Sequence, residues 1–103
     1  MDHLHVIAAP LRLRILELVW DRELAAGDIA AQFEVSWSAV SQHLTVLKSV
    51  GFIVERRVGR RRLYRADPQA LGSLRGVVES HWRQNLDRLK DLAEAEQRDR
   101  DQH

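Results

Sequence analysis

A mainly α-helical domain with one small β-hairpin is predicted by three observations in this sequence. Apolar residues recur at helical spacing over most of the chain, as in Leu11, Ile15 and Leu18, and again in Leu74, Val78, Trp82, Leu86 and Leu89. The helical period is interrupted once, where the β-branched and aromatic stretches "FIVERRV" and "RLYRA" flank "GRR" and read as a two-stranded hairpin. The 103 residues are 45% hydrophobic and 30% charged, which suits one compact domain with a modest core. A lone domain of this size buries limited surface, so pairing with a second copy is a natural way to extend the core.

The elements follow in order. "PLRLRILELVW" begins with Pro10, suited to a first helical turn, and places Leu11, Ile15, Leu18 and Val19 on one side. "AAGDIAAQF" reads as a short helix with Ile29, Ala30 and Phe33 turned inward, and "EV" as a tight turn after it. Ser36 is then a good N-cap, with Val35 and Val40 at the two positions of a hydrophobic staple. Val40, Leu44 and Leu47 make the buried stripe of the following helix, and Gly51 suits the left-handed position that stops it. After the hairpin, Asp67 and Pro68 read as the N-cap and first residue of a new helix, continuing to about Ala95. Gly72 and Gly76 are candidate breaks in its first turns. Residues 1–97 thus form one domain, with 98–103 a frayed tail.

Two helices joined by a tight turn, with a basic hairpin after the second, constitute a winged helix-turn-helix. The second of these helices turns Ser38, Ser41, Gln42, Thr45 and Ser49 to one face, with Lys48 at its margin. Short hydrogen-bonding side chains opposite an apolar stripe fit the major groove of DNA, where they reach base edges and phosphates. Ser36, Ser38, Ser41, Gln42, Thr45 and Lys48 are therefore the expected DNA-binding residues of the helix. The net charge of +1 hides a strong asymmetry. Between Gly51 and Arg65, six arginines face the single acid Glu55, while acids outnumber bases from Glu79 onward. Such a patch is an electrostatic footprint for a polyanion. Arg56, Arg57, Arg60, Arg61 and Arg62 are its expected DNA contacts, because three consecutive arginines at a hairpin tip repel one another until phosphate relieves them.

Other chemistries find little support. Cysteine is absent, which removes disulfides and thiolate metal sites. Ser41 and His43 stand two apart on one helix and point away from each other, so they make no nucleophile–base pair. His43 sits on the edge of the apolar stripe and reads as a packed histidine bonded to backbone or to a phosphate. No catalytic residue and no cofactor are expected. No segment approaches a membrane span and no basic leader precedes an apolar run, so a cytoplasmic location is expected.

The residues also carry a resemblance. "PLRLRILELV", "GDIAAQFEVSWSAVSQHLTVLKSVGFI" and "ERRVGRRRLYRAD" closely resemble the second helix, the helix-turn-helix and the wing of ArsR/SmtB-type bacterial transcriptional repressors. The likeness covers roughly residues 4 to 92, and the string Ser-x-Ser-x-Val-Ser-x-His-Leu is its most specific part. The resemblance implies a homodimer held by terminal helices on a double-stranded DNA operator of two-fold symmetry, often under metal control. Leu4, Ile7, Val78, Trp82, Leu86 and Leu89 are the expected dimer contacts.

The metal ligands are where the chain departs from that family. Members sensing arsenic, cadmium or lead carry Cys-x-Cys where this chain has Ala25 and Gly27. Members sensing zinc, cobalt or nickel use Asp-x-His followed by a second His-containing pair; Glu79 and His81 imitate the first half, and Leu92 and Ala95 occupy the second. A dimeric repressor with no metal site is the leading expectation, with an effector of another kind left open. The alternatives are a metal sensor built from His3, His5, Glu79, His81 or Asp87, and a winged helix used as a protein-interaction module. The module has no need of a +5 hairpin beside a polar helix face.

Overall fold

The computed structural model describes residues 3–101, and all their side chains except those of 85–91 and 99–101. Helices α1 (His3–Ile7) and α2 (Pro10–Leu18) lead into a two-residue strand β1 (Leu24–Ala25). Helices α3 (Ala26–Ala30) and α4 (Trp37–Ser49) form the helix-turn-helix. Strands β2 (Ile53–Val58) and β3 (Arg61–Ala66) make the hairpin, and a 3-10 turn (Pro68–Leu71) precedes the long helix α5 (Leu74–Asp101).

Local chemistry sets the ends of α4. The Ser36 hydroxyl accepts a hydrogen bond from the Ala39 amide at 3.1 Å, satisfying one of the free donors of the first turn. At the other end Gly51 adopts φ +81°. The Gly51 amide then reaches the Lys48 carbonyl and the Phe52 amide reaches the Leu47 carbonyl, both at 3.0 Å. This is the Schellman arrangement, and it needs a residue without a Cβ penalty at the left-handed position.

The hairpin is tighter than the sequence suggests. Val58 pairs with Arg61, leaving Gly59 and Arg60 as a two-residue loop. Gly59 takes φ +62° while no non-glycine residue among those described has positive φ, which fits a turn of the II′ kind. The sheet also has a third strand that period-2 reading missed. Leu24 and Ala25 pair with Tyr64 and Leu63, giving the order β1-β3-β2. Two residues are too few to display alternation.

Three further expectations need correction. Helix α3 stops at Ala30, because the Gln32 and Phe33 amides bond back three residues to Ile29 and Ala30. That tighter turn brings Phe33 into the core. Asp67 does not cap with its side chain: its backbone carbonyl takes the Ala70 amide, and the chain makes one 3-10 turn before Gly72 (φ +56°) breaks it. Helix α5 runs on to Asp101, past the Ala95 where the apolar spacing stops; residues 102 and 103 lie outside the described residues.

The core gathers Val6, Leu11, Ile15, Leu16, Val19, Ile29, Val40, Leu44, Leu47, Phe52 and Val78. Trp20 and Trp82 close one side edge to face, with ring centroids 4.8 Å apart and planes at 84°. The core also takes in several of the expected dimer contacts. Ile7, Val78 and Trp82 are already buried within one chain, so their burial does not call for a second. Leu4 is exposed, and the side chains of Leu86 and Leu89 lie outside the described residues.

Candidate nucleic-acid interface

Helix α4 and the hairpin present one continuous surface. A groove of about 320 Å³ runs between them, lined on the helix side by Trp37, Ser41, Thr45 and Lys48 and on the sheet side by Glu55, Arg62 and Tyr64. Beyond it a shallower concavity continues over Ser38 and Gln42. The expected helix residues are thus brought together. Ser38, Gln42, Thr45 and Lys48 are exposed and Ser41 is half-buried.

Their hydroxyls are not equivalent. Ser36 faces inward to its own helix as the N-cap. Thr45 Oγ1 donates its proton to the Ser41 carbonyl at 3.0 Å, and Ser49 Oγ donates to the Val46 carbonyl at 2.7 Å. A hydroxyl whose proton is used this way offers only lone pairs outward, so Thr45 can accept from the amino group of adenine or cytosine. The Gln42 carboxamide carries donor and acceptor together, the pattern that matches adenine.

Strand alternation divides the arginines between two faces of the sheet. Arg57 and Arg62 stand opposite each other across the strands, on the same face as Glu55 and Tyr64. Arg56 and Arg61 lie on the other face. Like charges placed directly across a ladder repel, and the nearby Glu55 offsets this. Its carboxylate takes the Lys48 ammonium at 2.9 Å, stands 3.9 Å from Arg62 Nε, and receives the Tyr64 hydroxyl at 3.4 Å. The Lys48 hydrogen bond, and then the Lys48 and Arg62 charges, hold the Glu55 carboxyl below its ordinary range against partial burial. Burial and the Glu55 charge raise the Tyr64 hydroxyl above its usual value, so it stays protonated and donates.

Arg56, another of the expected DNA contacts, is paired within the fold. Its guanidinium grips Glu23 through two bonds, Nε to Oε2 at 3.0 Å and Nη2 to Oε1 at 2.6 Å. This planar fork ties the hairpin to the segment after α2 and holds the Glu23 carboxyl below its ordinary range. Arg61 stands 3.7 Å from Asp28. Among the described residues Arg57 and Arg60 make no ion pair, which leaves them the most available cations of the wing.

Sequence reasoning missed two things here. Trp37 is 54% exposed at the first turn of α4, at the margin of the polar face, between Leu44 and Lys48 by helical angle. Its position on a helical wheel could have flagged it. The second is the partner of His43, whose Nε2 bonds the Gln97 side-chain oxygen at 2.8 Å in a buried junction. A contact spanning 54 residues leaves no trace in local periodicity.

The comparison with known proteins agrees with this geometry. Residues 9–54 match the family described as "Bacterial regulatory protein, arsR family". The HTH-type transcriptional regulator Rv2034 of Mycobacterium tuberculosis is 37% identical over 90 residues, covering 87% of this chain and 84% of that protein. This chain belongs to the ArsR family. The crystal structure of a possible transcriptional regulator for arsenical resistance is 45% identical, with a TM-score of 0.68, over 86% of this chain and 93% of that one. The homodimeric winged helix-turn-helix DNA-binding domain of a possible ArsR-family regulator from Mycobacterium bovis is 31% identical, with a TM-score of 0.66, over 76% and 72%. Of the positions weighed as metal ligands in the sequence, Ala25 ends β1, Gly27 lies in α3, and Glu79 pairs with Arg75 at 2.7 Å. Among the described residues no three His, Asp or Glu side chains come together to hold an ion.

Proposed function

We propose that this ArsR-family transcriptional regulator acts as a cytoplasmic homodimer that represses by occupying an operator of two-fold symmetry, without metal control. The observation that carries the reading is the shared exposed surface of α4 and the hairpin, where Ser41, Thr45 and Lys48 share one groove with Arg62, and Arg57 lies on the same face of the sheet as Arg62. In this reading α4 lies in the major groove, with Ser38, Ser41, Gln42 and Thr45 at base edges. Lys48, Arg57, Arg60 and Arg62 then take phosphates, and Arg56 and Arg61 position the wing. Repression follows from occlusion of the bound promoter.

The homodimer is supported by an open apolar groove between α1 and α5, lined by Leu4, Ile7, Leu13, Val77 and Leu92. Leu4, Val77 and Leu92 are each half exposed or more, a patch that a second copy would cover. Metal independence is supported by the ligand count: Glu79–His81 would have Leu92 and Ala95 as complement, so each site keeps two donors where a tetrahedral ion wants four.

A gel-shift titration against the DNA upstream of the gene, with zinc or a chelator as separate arms, tests the proposal. Tight binding that unrelated duplex does not compete, equal in both arms, is the expected result. Gln42→Ala should then lose roughly tenfold or more and relax preference at one base pair per half-site. A tenfold shift with zinc that disappears in His81→Ala overturns the metal-independent reading.

A further inference from the structure

Trp37 is the anomaly of the surface. The other two tryptophans, Trp20 and Trp82, pack edge to face within the fold, whereas the Trp37 indole stands 54% exposed among hydroxyls and amides. It borders both the groove toward the hairpin and the concavity over Ser38, Ser41, Gln42, Thr45 and Val46. A large apolar ring on a face otherwise built for hydrogen bonding gains free energy where its partner offers an apolar feature to cover it. The major groove offers one such feature at base edges, the C5 methyl of thymine.

We propose that Trp37 is a specificity-determining residue that reads thymine by packing its indole on the C5 methyl. The location supports this. Trp37 follows the Ser36 cap directly, at the end of the helix that approaches base edges most closely in helix-turn-helix docking. Its neighbours on the face, Ser41 and Thr45, hold the polar contacts to adjacent bases, so the ring completes a readout that those side chains alone cannot make. A hydroxyl or carboxamide distinguishes thymine from cytosine through the O4 acceptor; only an apolar surface senses the methyl. The inference rests on the DNA-reading function proposed above and adds the chemistry of one base position to it.

The test begins by enriching a random-sequence duplex pool on the full chain. Each thymine of the recovered half-site is then replaced by deoxyuridine, which deletes only the methyl. At one thymine per half-site the affinity of the native protein should fall about fourfold, the value of one buried methyl-sized group, and roughly fifteenfold when both half-sites are changed. Trp37→Ala should bind the unmodified duplex with a similar loss and then be indifferent to deoxyuridine at that position. Its unfolding midpoint should stay near that of the native chain, because the ring is exposed. Indifference of the native protein to deoxyuridine at every position overturns the proposal, as does a half-site without thymine or a loss in Trp37→Ala that adds to the deoxyuridine loss. Failure to enrich any common sequence is a separate outcome and contradicts the DNA-reading function itself.

Discussion

Lys48 and Glu55 meet at 2.9 Å, joining α4 to the hairpin that flanks it. Glu55 is the single acid between Gly51 and Arg65, and it also stands within reach of Arg62. The carboxylate therefore occupies, in the free protein, the place a phosphate would take beside these two cations. Glu55→Gln should release both and tighten binding to any duplex by a few fold, the scale of exposed ion pairs. The gain should come with a steeper salt dependence and a lower ratio of specific to non-specific affinity, read by fluorescence anisotropy on operator and scrambled duplexes. Unchanged non-specific affinity would mean that Glu55 only orients the wing.

The acid side of the stability profile follows from the same pairs. The Arg56 hydrogen bond lowers Glu23, and the Lys48 hydrogen bond lowers Glu55, each from an ordinary value of 4.5. A carboxyl lowered in the folded state contributes stability that is complete above its unfolded pKa and is lost as pH falls through the lowered one. The melting temperature should therefore decline as pH drops below about 4.5, and a Glu23→Gln, Glu55→Gln double variant should decline less over that window. Parallel curves would show that other carboxylates carry the acid response.

Both ends of α4 should be measurable as caps. Ser36→Ala removes the acceptor for the Ala39 amide and should cost about 1 kcal/mol. Gly51→Ala meets no atom within 4 Å of the new Cβ, so its cost is purely that of holding a side chain at φ +81°. That cost is about 1–2 kcal/mol. Urea unfolding at neutral pH checks both, with the midpoint moving and the slope unchanged.

How much of this was legible in the sequence follows the range of the interactions. The caps of α4, the stripe of Val40, Leu44 and Leu47, and the glycine stop are local, and residue type alone specified them. The polar face of α4 was legible because helical spacing places Ser38, Ser41, Gln42 and Thr45 together whatever surrounds them. The division of the arginines was not. Which of them keep their charge free depends on Glu23 and Asp28, brought to the hairpin by tertiary packing from 30 residues or more away in sequence. The same holds for Trp82, whose helical spacing with Val78 announced burial but could not say that Trp20 of the same chain would supply it.

Exposure within one chain separates the residues proposed for the dimer contact from those of the core. Val77→Glu and Leu92→Glu place a charge on the open groove and should leave the monomer folded while shifting sedimentation to the monomer. Trp82→Glu, set against Trp20, should instead unfold the chain by several kcal/mol. An intact dimer in both groove variants would move the interface away from α1 and α5.

The claim on which everything else depends is that α4 and the wing grip the DNA backbone together, and the salt dependence of operator affinity tests it most directly. A dimer using Lys48, Arg57, Arg60 and Arg62 from each chain should neutralise on the order of 6–10 phosphates. Its affinity, measured by anisotropy between about 50 and 200 mM salt, should then fall about a thousandfold or more. A fall of less than about tenfold over that range would contradict the account, because a surface that releases so few counterions is not holding the DNA backbone.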